Sequence, residues 1–377
     1  MAPEDRLRSP APSCAIALNI PQMNTLRVIA MFGIFFHHLG MTVLRDPDTP
    51  VERVVHDITY VAADGVIVFN IISGFLLALP YLGPAHRAFP GYGAFLKRRF
   101  LRILPAYYIA LLVFSVANVF AFDFPATASL RFLLEHALFL NTLDHETIGL
   151  NISPFWYVGM LVHFYLVFPF ILRLFLRFGP TRAALSLIAA SWGGCGLVSL
   201  YLTVHPDSVL GMAGSLMFFN LPGRLPELTI GMWLAAIWNP SDSCGQEGRL
   251  NRPFTFFLAG LVLHALVSAP FVGKMDGLPF HILNVSAVVP VFTLLFLWRP
   301  TSEAASFAAV GKLAKYSFGI FLVHHPVFSY LGVMPGKVPE TTVELVKLAF
   351  LLFPVSYVAA VLLDRLAGFV VSLSRGR

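Results

Sequence analysis

Residues 24–44 read NTLRVIAMFGIFFHHLGMTVL, and this stretch decides the fold. A helix of that length rises about 30 Å, the thickness of the hydrocarbon core of a bilayer. Its ionisable side chains are Arg27 near one end and the pair His37-His38 beyond its middle. The same ruler predicts further spans near 58–80, 100–121, 154–176, 183–203, 218–238, 254–273, 279–298, 308–333 and 341–364, ten in all. Composition agrees: of 377 residues 57% are hydrophobic and only 12% charged, with a mean hydropathy of +0.75. Soluble domains carry about 25% charged residues. A soluble globular protein, a disordered chain and a nucleic-acid binder are thereby excluded. The expected fold is an all-α, polytopic transmembrane helix bundle, with the lipid bilayer as its solvent. The stretch LRFLLEHALFL at 130–140 is too short to cross, and Glu135 and His136 would be costly against lipid. It is expected to form a short interfacial or re-entrant helix.

Orientation follows from the basic residues. With the N-terminus inside, 19 of the 26 Lys and Arg fall in inner loops or at inner helix ends and 7 outside. That bias places both termini in the cytoplasm. The same topogenic bias accounts for the net charge of +6 without an anionic partner. One membrane domain is expected over 24–366, between a cytoplasmic N-terminal tail (1–23) and a basic cytoplasmic C-terminal tail (367–377). The apolar run after Asn24 is too long, and lacks the small-residue cleavage site, for a removable signal. Cys14, Cys195 and Cys244 are too few and too scattered for a disulfide framework or a zinc site, and no metal is expected.

Ionisable side chains at membrane depth cost several kcal/mol at least, so each is a functional candidate. His38 lies 11 residues past Arg27, about 16 Å deeper on a helix. An imidazole there can move a proton at neutral pH. His37 points about 100° away. The third span opens FLKRRFLRILPAYY (95–108), where Arg99 and Arg102, three apart, share a face. Guanidinium forks bind phosphate bidentately, although most such clusters anchor at lipid headgroups. The second span, DGVIVFNIISGFLLALP (64–80), holds Asp64 and Asn70, either of which could face a cavity, and a Ser73-Gly74 pair suited to close helix packing. In SPFWYVGMLVHFYLVFP (153–169), His163 follows Trp156 on the same face. In PGRLPELTIGM (222–232), Arg224 and Glu227 most simply neutralise each other. In KLAKYSFGIFLVHHPVF (312–328), His324 stands 12 residues beyond Lys312, about 18 Å along the helix and so near the depth of His38. Two such histidines on different helices point to a shared polar chamber.

In this order, these residues resemble the acyltransferase 3 family of integral membrane O-acyltransferases, over about 24–364. The resemblance rests on Arg27 with His38 ten residues between, and on the R-x-x-R pair Arg99 and Arg102. The ISGFLL segment, Trp156 to Pro169, RLPELTIGM and YSFGIFLVHHPV add weaker support. It implies an acyl-CoA donor, acetyl-CoA above all, bound from the cytoplasm by Arg99, Arg102 and Arg27. It further implies Arg27 and His38 as the catalytic pair, with His38 as base toward an acceptor hydroxyl or as an acyl carrier. The acceptor would be a glycan, a lipid-linked sugar or a glycosylated small molecule, and the membrane the inner, or cell, membrane. His324, Asp64, Asn70, His163, Trp156, Glu227 and Arg224 are candidates for the acceptor side or a cavity. The chain departs from the family twice. Leu161 and Val162 stand where many members have acidic residues, and many members carry a fused SGNH-type domain that this sequence lacks. The alternative reading is a multi-pass transporter or flippase with a midplane His/Arg pathway. No inverted repeat supports it.

Overall fold

The computed structural model describes residues 21–121, 125–141, 153–205, 219–238, 284–285, 305–333 and 338–375. All regular structure among them is helical. Helix α1 (Pro21–Val43) is the first expected span. Helix α2 (Pro50–Val61) opens on a capping box: Thr49 accepts from the Glu52 amide, and the Glu52 carboxylate accepts from that of Thr49. One 3₁₀ turn, Ala62–Asp64, joins α2 to α3 (Gly65–Leu82). The chain continues through α4 (Tyr92–Ala121), α5 (Ala126–Ala137), α6 (Trp156–Phe178), α7 (Pro180–Val204), α8 (Leu221–Ile237), α9 (Ala305–Tyr330) and α10 (Thr342–Arg375).

Eight of the ten expected spans fall on α1, α3, α4 and α6 to α10; those at 254–273 and 279–298 lie outside the described residues, apart from Asn284 and Val285. Among the described residues, six helical stretches are long and apolar enough to cross a membrane: 23–43, 50–82, 92–120, 156–178, 180–202 and 342–373. Helix α8, with 17 residues, falls short in length. Helix α9, with 26, is made less apolar by Lys312, Lys315 and the His324-His325 pair. The short helix expected at 130–140 is α5. The Tyr107 and Tyr108 hydroxyls of α4 hold its C-terminal end, donating to the His136 and Ala137 carbonyls at 2.8 and 3.0 Å.

Helices α4 and α10 have 30 and 34 residues and so run about 45 and 51 Å, well beyond a 30 Å core. The basic first turns of α4 therefore project past the hydrocarbon, and α10 carries the helix through the stretch expected as a tail. Leu112, Val113, Val116 and Phe120 of α4, and Phe350 and Leu351 of α10, are exposed as lipid-facing side chains are.

Helices α3 and α8 approach closely, and the contact rests on two glycines. A Cβ at Gly74 would collide with the Leu228 carbonyl, and a Cβ at Gly231 with the Ile71 carbonyl. Small residues permit this backbone contact between membrane helices. Gly74→Ala is therefore expected to cost about 1–3 kcal/mol by overpacking. Gly193→Ala, in α7, meets nothing within 4 Å and should gain about 0.5–1 kcal/mol of helix propensity. Thermal unfolding in detergent reads the two opposite signs.

Candidate active site

A cavity of about 790 Å³ opens among α1, α3, α4, α9 and α10, with α6 along one side. Its size is that of a site for a drug- or cofactor-sized molecule. Three guanidinium groups line it: Arg27 from α1, and Arg99 and Arg102 from α4. Arg27 donates to Asn24 Oδ1 at 3.5 Å, and Arg99 lies over the Phe95 ring, 5.6 Å from its centroid. None of the three has a carboxylate partner among the described residues, and the fields of Arg27 and Arg102 oppose each other. Like charges gathered without counter-ions favour an anion between them. At the rim Lys315 of α9 and Asp364 of α10 form an exposed pair at 3.7 Å.

The far end of the cavity is aromatic. Phe69 of α3, Tyr157 of α6 and Phe321 of α9 all line it, and their ring centroids lie 5.1 to 6.4 Å apart. The Tyr157 hydroxyl bonds the Ser73 side chain.

Just beyond these rings the two histidines expected at one depth meet. His38 Nδ1 lies 2.9 Å from His324 Nε2, and the Phe321 and His324 ring centroids are 6.2 Å apart. The helices supply a unique protonation pattern. His324 Nδ1 is 3.0 Å from the Ile320 carbonyl one turn back, so it must be the N–H donor. Its Nε2 then carries a lone pair, and the bond across the pair requires the proton on His38 Nδ1. The lone pair of His38 is left on Nε2. This backbone-to-imidazole chain fixes a tautomer as carboxylate or carbonyl partners do in other histidine sites. His37 is turned away, its Nδ1 donating to the Thr59 carbonyl at 3.2 Å.

The remaining candidates gather elsewhere. Asn70 of α3 donates to the fully buried Glu227 of α8, which also accepts from Arg224 at 2.9 Å. Arg224 in turn lies over Trp156, 5.6 Å from its ring. A buried carboxylate needs such partners, so these four side chains tie α3, α6 and α8 together beside Tyr157, whose hydroxyl feels the charges of both Arg224 and Glu227. Asp64 accepts from Asn284 at 3.1 Å. His163 is half-buried and joins none of these groups among the described residues. The aromatic trio had no signal in the sequence beyond three more aromatics in an aromatic-rich chain.

A membrane-embedded helical bundle with a basic cavity, whose aromatic end abuts paired histidines, has the layout of an integral membrane acyltransferase. Residues 20–363 match the family described as an acyltransferase domain, and the chain belongs to that family. It is 24% identical to the peptidoglycan O-acetyltransferase of Listeria monocytogenes over 331 residues, 82% of this chain and 49% of that protein. A Staphylococcus aureus protein, provisionally named an O-acetyltransferase, is 25% identical over 85% of this chain and 53% of its own. The regulator of hypoxia-inducible factor 1 of Caenorhabditis elegans is 24% identical over 64% of this chain and 48% of its own. The chain thus spans about half the length of the curated relatives it matches. No solved structure matches it.

Proposed function

We propose that this acyltransferase moves an acetyl group from acetyl-CoA to a hydroxyl of a carbohydrate-type acceptor. What carries the reading is the set of three guanidinium groups, unpaired with any described carboxylate, around one cavity whose far end abuts the His38–His324 pair. CoA is a polyphosphate with a long flexible arm, and Arg27, Arg99 and Arg102 hold its phosphates at the mouth. The cavity-lining residues Arg27, Arg99, Arg102 and Lys315 belong to the helix ends that the basic-residue bias assigns to the cytoplasm. The donor therefore enters from inside, with both termini on that face of the cell membrane. The acceptor arrives from the opposite side or from the bilayer, and the name of the Listeria relative supports a glycan hydroxyl.

His38 Nε2 accepts the hydroxyl proton as that oxygen attacks the thioester carbon. The C–S bond then breaks, the ester forms, and the proton passes to the departing CoA thiolate. His324 holds the ring and its tautomer and touches neither substrate. His324→Gln keeps an acceptor for His38 Nδ1–H, whereas His324→Leu removes it. We expect turnover to fall about tenfold in His324→Leu, the worth of one hydrogen bond, and substantially less in His324→Gln, with CoA affinity unchanged in both. Equal losses would remove the positioning role.

The proposal as a whole is tested by incubating the purified protein with acetyl-CoA and peptidoglycan fragments. It expects free CoA thiol together with O-acetyl ester on the glycan by mass spectrometry. A transporter would release no thiol.

A further inference from the structure

Neither histidine lines the basic cavity: its described lining ends at Phe69, Tyr157 and Phe321. These rings come from three helices, α3, α6 and α9, and touch in all three pairings, with centroids 6.4, 6.2 and 5.1 Å apart. Tyr157 and Phe321 are almost wholly buried, and Phe69 is half-buried. On the far side Phe321 borders His324, and Phe35 of α1 borders it too, at 6.1 Å. A thioester in the cavity therefore meets an apolar aromatic barrier immediately before the imidazole pair. The polarity gradient runs the same way, guanidinium groups at the mouth and rings at the end, which suits a molecule charged at one end and acylated at the other.

We propose that Phe69, Tyr157 and Phe321 select the acyl group: they yield to the smallest acyl chain, exclude longer ones, and keep water off His38. This rests on the reading of the cavity as an acyl-CoA site. Each excess methylene must find room among rings already in contact, and an apolar pocket discriminates by roughly 10-fold or more per methylene. Water exclusion has the same origin. With the rings closed, no water reaches the thioester carbon beside His38 to break the C–S bond and give free acid and CoA thiol. Phe69 and Phe321 act by ring volume. The Tyr157 hydroxyl is turned to Ser73, so its ring and not its oxygen belongs to the barrier.

The test uses full-length protein in native membrane vesicles, which retain its acceptor, with His38→Ala vesicles as the blank. Free-thiol release is followed from acetyl-, propionyl- and butyryl-CoA, and affinity for each by competition. Wild type should bind the three alike, because all share the phosphates, yet turn over butyryl-CoA at least 100-fold more slowly than acetyl-CoA. Phe69→Ala and Phe321→Ala should each narrow that ratio by 10-fold or more and raise thiol release in acceptor-free detergent. Wild type that uses butyryl-CoA as well as acetyl-CoA overturns the selection without any variant. An unchanged ratio in folded alanine variants overturns it while the acyl-CoA reading stands. Wild type that binds no acyl-CoA overturns both.

Discussion

His38→Ala will lower acyl transfer by about 10²–10⁴-fold, the usual worth of a positioned acid–base group, while acetyl-CoA binds as before. Binding survives because the phosphate-holding groups stand on the cavity wall and His38 does not. Transfer fails because the lone pair on His38 Nε2, the proton acceptor for the attacking hydroxyl, is gone. His324, the nearest imidazole, has both nitrogens committed, one to the Ile320 carbonyl and one to His38. His37→Ala is the matched control. Its ring is tied to the Thr59 carbonyl of α2, so its loss should cost less than tenfold, the scale of a single hydrogen bond. Initial rates of thiol release and equilibrium binding, measured on the same preparations, separate the two effects. Equal losses in both variants, with intact folding, would sink the assignment of His38 as the single catalytic histidine.

Arg102→Lys will weaken acetyl-CoA binding roughly 10- to 150-fold, the equivalent of about 1.5–3 kcal/mol for one charge-assisted hydrogen bond. The charge of the helix end is unchanged, so topology holds. What is lost is the planar fork that grips two phosphate oxygens at once, which an ammonium group cannot reproduce. Arg98→Lys supplies the comparison, since Arg98 is on the same helix turn but absent from the cavity wall; its affinity should be that of wild type. Calorimetry at two salt concentrations adds an independent check, because a phosphate contact weakens as ions screen it. An Arg102→Lys protein that binds as tightly as wild type would reduce the basic cluster to a membrane anchor.

Much of this site was legible because membranes make polarity conspicuous. Arg27 and His38, eleven residues apart in an apolar span, stand out against lipid, and the rise per residue alone sets their separation. Depth arithmetic likewise brought His324 to the level of His38. It could not join them: the bond between positions 38 and 324 is set by how α1 packs on α9, which no local pattern encodes. The tautomer chain through the Ile320 carbonyl depends on that bond and was equally hidden. Ser73-Gly74 gave notice of a close helix contact, whereas its partner, Gly231 in α8, emerged only from the packing. Helix α2 had a local signal, Thr49-Pro50-Val51-Glu52, which reads as a capping box with proline at the first helical position. Its charged face set it apart from the spans and left it outside a reading tuned to apolar runs. The aromatic barrier was invisible for the opposite reason. Phe69 and Phe321 sit in spans full of apolar residues, and sequence does not distinguish a phenylalanine facing lipid from one closing a cavity.

The central claim is that an acyl group leaves CoA in the arginine-lined cavity through the agency of His38. Its most direct measurement compares wild type and His38→Ala, purified and supplied with radiolabelled acetyl-CoA and peptidoglycan fragments. Bound donor, free thiol and label on the glycan are counted together. The account predicts that both proteins bind acetyl-CoA with the same affinity, and that wild type releases thiol and esterifies glycan in equal amounts. His38→Ala should do neither above background. Wild type that binds no acetyl-CoA, or a His38→Ala protein that transfers label at the wild-type rate, would contradict it.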